Sequence, residues 1–185
     1  MSRDDWLVGG DRRAAASERI LAVATEVVAR RGPDALNIDD LAARVHCSRA
    51  TIYRHVGGKA QILEQATARA AARIIDHVRR SVAGLSGTDR VLTAITDAIE
   101  QVRADPARDM LLDSVRGARG SAWLAASPMT AGLAVELTGL SDRDPQAGQW
   151  VVRLVLSLLF WPGPDAEAEL EMLRRLVTPA FAGSE

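Results

Sequence analysis

Cysteine occurs once in this 185-residue chain, at Cys47. No intrachain disulfide can form, and the chain suits a reducing cytoplasm. A thiol switch at Cys47 is the sharper alternative to a small half-buried side chain in a turn. Histidine is nearly as scarce: His46, His55 and His77 are the three, and none stands with cysteine or carboxylate at metal-ligand spacing. Neither a metal nor a cofactor is expected. Long apolar runs are missing too. The longest, Trp150 to Trp161, is broken by Arg153 and Ser157 and falls short of the roughly 20 residues that span a bilayer. The first residues, MSRDDWLVGGDRR, hold no apolar stretch of signal-peptide length. A cytoplasmic location without membrane contact is the expectation. Large net charge is also lacking, at −1, which argues against a protein that coats nucleic acid by bulk electrostatics. Lysine stands only at Lys59, every other basic residue being arginine.

What is present is apolar and helical in pattern. Hydrophobic residues make up 48% of the chain and charged ones 25%, enough for a proper core. The charge is unevenly spread. From Arg12 to Lys59 nine basic residues face five acidic ones, so a basic head precedes an acidic remainder. Residues 1–13 lack periodicity and read as a flexible arm, with Arg12 and Arg13 as candidates to enter a groove of a duplex. Ala14 to Arg31 carries Ile20, Ala24, Val27 and Val28 on one helical stripe, stopped by Gly32-Pro33.

The stretch NIDDLAARVHCSRATIYRHVGGKAQI, Asn37 to Ile62, is the most informative. Asn37 is an N-cap, and Ile38, Leu41, Ala42 and Val45 recur at i, i+3, i+4 and i+7. Ser48 offers a second cap, Ile52 and Val56 face inward, and Gly57-Gly58 ends the second helix. Two such short helices joined by a tight turn form a helix-turn-helix. The second presents Ala50 and Arg54, flanked by Thr51 and Tyr53, opposite its buried side. Ser48 and Arg49 stand at the amino end, where a recognition helix meets base edges. Hydroxyls, a phenol, His55 and Lys59 are suited to phosphate oxygens. The competing reading is a surface helix of an unrelated bundle, but caps, stripe, turn and donors agree over one segment. Phosphate-loop chemistry at Gly57-Gly58-Lys59 fails, because Tyr53 stands at the required earlier glycine and Ala60 where a hydroxyl should bind magnesium. No nucleophile–base–acid set rises above chance, and the chain does not read as an enzyme.

The segment ASERILAVATEVVARRGPDALNIDDLAARVHCSRATIYRHVGGKAQIL resembles the DNA-binding domain of the tetracycline-repressor (TetR) family of bacterial transcriptional regulators. Thr51-Ile-Tyr-Arg-His-Val56 and the lysine four residues after the histidine carry most of the likeness. The resemblance implies that Arg49, Ala50, Thr51 and Tyr53 approach bases or the adjoining backbone and that Tyr53, His55 and Lys59 hold phosphates, Asn37, Ser48 and Arg54 completing the DNA-binding set. It departs from the family in three places. His46 stands at a usual glycine, though histidine visits positive φ fairly often. Val56 replaces a common phenylalanine. Asp39 lies where some members place a basic residue; an acid there either repels phosphate or accepts from a cytosine amine.

The expected fold is therefore all-α, of about nine helices, with a three-helix head over residues 14–58 and an effector-binding and dimerisation body over 59–185. In that body Lys59 to about Val82 reads as a long helix. Others are expected after Thr88, after the Asp105-Pro106 cap and after Pro128. Met110, Leu111, Val115, Trp123, Met129, Leu133 and Trp150 are candidate walls of an effector pocket, with Arg116 or Arg119 meeting any carboxylate. The helix from Gln146 to Trp161 is apolar except for a stripe of Gln146, Gln149, Arg153 and Ser157, so it must be buried on more than one side. Val151, Leu154, Val155, Leu158, Leu170, Leu173 and Val177 are the expected homodimer interface. The function implied is a regulator, a repressor released from double-stranded operator DNA by a small apolar or amphipathic effector. The alternative is a DNA-binding or protein-interaction module without an effector.

Overall fold

The computed structural model describes residues 5–116, 127–140 and 145–181, with side-chain detail from Arg13 onward. Among them the chain is all-α: α1 Asp5–Arg31, α2 Ile38–Val45, α3 Arg49–Val56, α4 Lys59–Ser81, α5 Gly87–Ala104, α6 Arg108–Val115, α7 Pro128–Thr138, α8 Pro145–Phe160 and α9 Ala166–Phe181, plus a 3-10 turn at Pro33–Ala35. One expectation is corrected at the outset. The helix expected from Ala14 starts at Asp5, so residues 5–13, read from sequence as an arm without periodicity, continue α1. Extending an existing helix adds one hydrogen bond per residue fixed, which outweighs the roughly 1 kcal/mol that each of Gly9 and Gly10 costs relative to alanine.

Two compact units divide the chain: Met1–Ala71 with Pro106–Leu112, and Ala72–Asp105 with Asp113–Glu185. In the first, Ile20, Leu21, Ala24, Val27 and Val28 of α1 enclose one core with Leu41 and Val45 of α2 and Ile52 and Val56 of α3. Ile62, Ala66 and Ala70 of α4 join that core, as do Ala107 and Met110. The packing boundary therefore falls inside α4, thirteen residues beyond the Gly58 expected from sequence.

In the second unit α7 lies close against α8. A Cβ added at Gly148 would stand 2.5 Å from the Ala131 carbonyl oxygen, so only glycine permits the approach. Arg90 of α5 closes the end of α7, its Nε donating to the Leu137 carbonyl at 3.0 Å and Nη2 to that of Glu136 at 2.8 Å. These are two of the four carbonyls that a helix leaves without internal partners. Two starts differ from the sequence reading. Ser86, and not Thr88, precedes α5, and α6 begins at Arg108, two residues beyond Pro106. No described helix is long and apolar enough to cross a membrane.

Candidate nucleic-acid interface

The helix-turn-helix is built by three local devices. Asn37 Oδ1 accepts from the backbone N–H of Asp39 at 2.7 Å and of Asp40 at 3.4 Å, capping α2. His46 ends α2 in the left-handed conformation, φ 56° and ψ 49°; the turn survives the absence of glycine as expected. Ser48 Oγ then accepts from the Thr51 N–H at 3.1 Å, and the two hydroxyls meet at 2.9 Å. Asn37, Ser48 and Thr51 thus shape the motif whatever they contact beyond it.

The carboxyl end of α3 is anchored more fully than its sequence suggests. The Tyr53 carbonyl keeps its helical bond from the C-cap residue, and the three carbonyls after it, which have no partner within the helix, each find a side-chain donor outside it. Gly57 N–H donates to the Tyr53 carbonyl at 3.2 Å, Arg13 Nη2 to that of Arg54 at 3.4 Å, Ser17 Oγ to that of His55 at 3.3 Å and Gln65 Nε2 to that of Val56 at 2.8 Å. The sequence reading offered Arg13 to a groove of the duplex and missed its anchoring role, and it missed Ser17 and Gln65 altogether, since only an amphipathic stripe marks α1 and α4. The distant partner of a polar side chain leaves no periodic signal.

The outward side of α3 carries Arg49, Ala50, Tyr53 and Arg54, all exposed, with Tyr53 at 51%. Arg49 Nε lies 3.1 Å from Oδ1 of Asp39. His55 is half-buried, and its Nδ1 is buried without a hydrogen-bond partner among the described residues. Lys59 Nζ donates to the Asp34 carbonyl at 3.0 Å, which ties the start of α4 to the 3-10 turn and leaves two ammonium protons. Gln61 Oε1 accepts from the Gly58 N–H at 3.0 Å, the half of a capping box that needs no side chain at the first position. Gly57 has φ 84°, a backbone that only glycine adopts readily.

The expected effector residues are scattered. Met110 is buried in the core of the first unit and Leu111 packs against it, because the turn before α6 carries them there. Met129 is exposed, Val115 half-buried, and Trp150 sits beside Phe181 with ring centroids 5.8 Å apart. Trp123 and Arg119 lie outside the described residues, and Arg116 pairs with Asp113 at 2.8 Å. Among the expected residues that are described, only Leu133 lines the apolar cavity of the second unit, about 200 Å³ between α4, α5, α7 and α8. Ile75, Ala98, Leu137, Val151 and Val155 are among its other walls. Val151 and Val155 thus turn inward, and Val151, Leu158, Leu173 and Val177 are core residues of one protomer, which corrects their assignment to a dimer surface. Leu154 and Leu170 are half-buried. The large exposed apolar side chains of this region are Trp161, Met172 and Leu176, with Trp150 partly so. Among the described residues no cluster of three His, Cys, Asp or Glu side chains could hold a metal ion.

Comparison with known proteins agrees with this geometry. Residues 20–66, from α1 into α4, match the sequence profile of bacterial regulatory proteins of the tetR family. An uncharacterized HTH-type transcriptional regulator of Mycobacterium tuberculosis is 30% identical over 185 residues, spanning 97% of this chain and 91% of the relative. The DNA-binding transcriptional repressor TetR of Mycobacteroides abscessus is 42% identical over 57 residues, 31% of this chain and 28% of that one. Two crystal structures share the fold. One is the TetR family repressor AlkX from a Dietzia strain, implicated in biodegradation of n-alkanes, with a TM-score of 0.62 and 16% identity over 91% of this chain and 97% of that one. The other is a TetR-like transcriptional regulator from Rhodococcus, at 0.54 and 17% over 92% and 97%.

Proposed function

This chain belongs to the TetR family of DNA-binding transcriptional regulators, and we propose that it acts as a homodimeric repressor released from its operator by a small apolar or amphipathic molecule. The observation that carries the DNA-reading half is α3 itself. It is a two-turn helix with its last three carbonyls held by side chains from α1 and α4, and its polar and aromatic side chains project outward. A helix too short to hold itself is kept in one shape so that Arg49, Ala50, Thr51, Tyr53 and Arg54 meet a major groove together. His55 and Lys59 address flanking phosphates.

The effector half rests on the cavity between α4, α5, α7 and α8. Its walls are aliphatic apart from Thr130 and Thr138, and the Thr138 hydroxyl is already spent on the Ala134 carbonyl at 2.6 Å. Such a lining selects for chain or ring hydrocarbon with little polar decoration. A molecule that binds one arrangement of these helices more tightly shifts the population by its difference in affinity, and by no more.

The test begins with a duplex selected by the protein from a randomised pool. Tyr53→Ala and Thr51→Ala are expected to weaken binding to it with the thermal transition intact, and unchanged affinity removes them from the interface. Lys59→Ala is expected to weaken binding to every duplex and to lower the salt dependence by about one phosphate. A graded series of straight-chain alcohols and fatty acids then probes the cavity. Release of the duplex by wild type, lost in Val155→Trp, is the expected outcome; equal release from both excludes the cavity as the effector site.

A further inference from the structure

Asp39 stands on the first turn of α2 and Arg49 on the first residue of α3, and the carboxylate of one meets the guanidinium of the other at the mouth of the motif. Both side chains are about three-fifths exposed, at 60% and 61%. An ion pair so exposed contributes at most about 1 kcal/mol to stability, so holding the fold together is not its main consequence.

Its geometry is more telling than its strength. Oδ1 of Asp39 approaches Arg49 on the Nε side, 3.1 Å away. The two terminal nitrogens take no other partner among the described residues. Those two nitrogens are the fork that donates in parallel to O6 and N7 of guanine, the commonest specific contact between arginine and a base. A free arginine side chain carries about 2 kcal/mol of rotamer entropy, and one drawn to a neighbouring carboxylate by charge has surrendered part of that before DNA arrives. Asp39 is itself located, because its backbone N–H is bound at 2.7 Å by the Asn37 cap. A chain of constraint runs from cap to acid to arginine.

We propose that Asp39 is a positioning residue for Arg49, fixing its fork to select a guanine at one position of each half-site. The inference rests on the DNA-reading function proposed above and extends it to the choice of base. It carries an unusual signature. An acid beside the phosphates weakens attraction to any duplex, so Asp39 raises discrimination while lowering general affinity. Removing it is expected to move those two quantities in opposite directions, which a merely structural role does not do.

The experiment uses the full chain and a duplex that wild type enriches from a randomised pool. Each guanine of a half-site is replaced in turn by 7-deazaguanine, which has C–H where N7 accepts, and affinities are read by fluorescence anisotropy over a range of salt. Wild type is expected to lose about tenfold at one guanine. Arg49→Ala binds the two duplexes alike. Asp39→Ala loses most of that preference yet binds a scrambled duplex more tightly, and Asp39→Asn, which keeps the size and an acceptor, lies between. In the Arg49→Ala background, Asp39→Ala changes no base preference. Retention of the tenfold preference in Asp39→Ala overturns the inference. So does a change of preference that persists without Arg49, which makes Asp39 a direct reader of cytosine. If wild type enriches no sequence at all, the regulator reading falls, and this inference falls with it.

Discussion

Glu169 is the one charged side chain buried among the described residues, and its surroundings explain why it is tolerated. Arg103 grips it in parallel, Nη1 to Oε2 at 2.7 Å and Nη2 to Oε1 at 2.8 Å, and the Gly163 N–H donates to Oε1 at 2.7 Å. Arg103 Nη2 also reaches the Leu158 carbonyl at 2.9 Å. The single carboxylate therefore joins α5, the last turn of α8 and the turn into α9. The Arg103 hydrogen bonds, helped by the Gly163 N–H, hold the Glu169 carboxyl below its ordinary range against the opposing effect of burial. The sign follows from linkage. A carboxyl whose folded pKa lies below its unfolded value adds stability fully present above the unfolded value, and loses it as pH falls through the folded one. Arg103→Met leaves a buried charge unpaired and is expected to cost about 3 kcal/mol at neutral pH. Denaturant midpoints of wild type and variant should draw together as the solution is acidified below about pH 4. A gap independent of pH refutes the assignment of the loss to this ion pair.

At the scale of the element, α3 shows how much of a binding helix's shape is set by its neighbours. Ser17 and Gln65 are not among the expected DNA contacts, yet each supplies a hydrogen bond to a carbonyl of α3. A bond of this kind is worth about 1 kcal/mol. The pair Ser17→Ala with Gln65→Leu is therefore expected to weaken operator binding about tenfold by loosening α3, with the salt dependence unchanged because no phosphate contact is lost. Binding measured at several salt concentrations checks this; a lowered slope shows that these residues touch DNA after all. The contrast with the sequence reading is physical. The caps Asn37 and Ser48, the left-handed His46 and the Gly57 stop were legible because each acts on its own backbone within a few residues. The Arg13, Ser17 and Gln65 anchors span 41, 38 and 9 positions, and no local rule reveals which distant carbonyl a side chain meets. Gly148 fails for the same reason, since its neighbour is the backbone of another helix. The residues expected around a pocket scatter because sulfur and aromatic side chains suit a core as well as a pocket. Met110 shows this within the first unit's core, while the cavity uses valine, leucine and alanine.

For the whole molecule, a two-half-site operator needs two reading heads, and one chain carries one. The proposed dimer must then be built on surface left apolar after each protomer has packed its own core. The stripe that sequence suggested is largely consumed internally: Leu173 and Val177 of α9 point inward at 2% and 1% exposure. What remains outside is the adjoining side of the same helix, Met172 and Leu176, together with Trp161 just past α8; Trp161 and Leu176 are 74% and 63% exposed. Large apolar side chains so exposed on adjacent segments are costly in water unless a partner covers them. A second copy of the same α8–α9 face supplies matching chemistry around a two-fold axis. Leu176→Glu places two like charges near that axis and is expected to give a folded monomer by light scattering, with helical content intact and a thermal transition that is lower than that of wild type and independent of protein concentration. The monomer should keep weak, salt-sensitive attraction to a single half-site and lose at least about a hundredfold on the full operator, the gain that linking two heads provides. A variant that stays dimeric locates the interface elsewhere. One that becomes monomeric yet binds the full operator undiminished shows that the heads act singly, and the proposed homodimeric repressor falls with it.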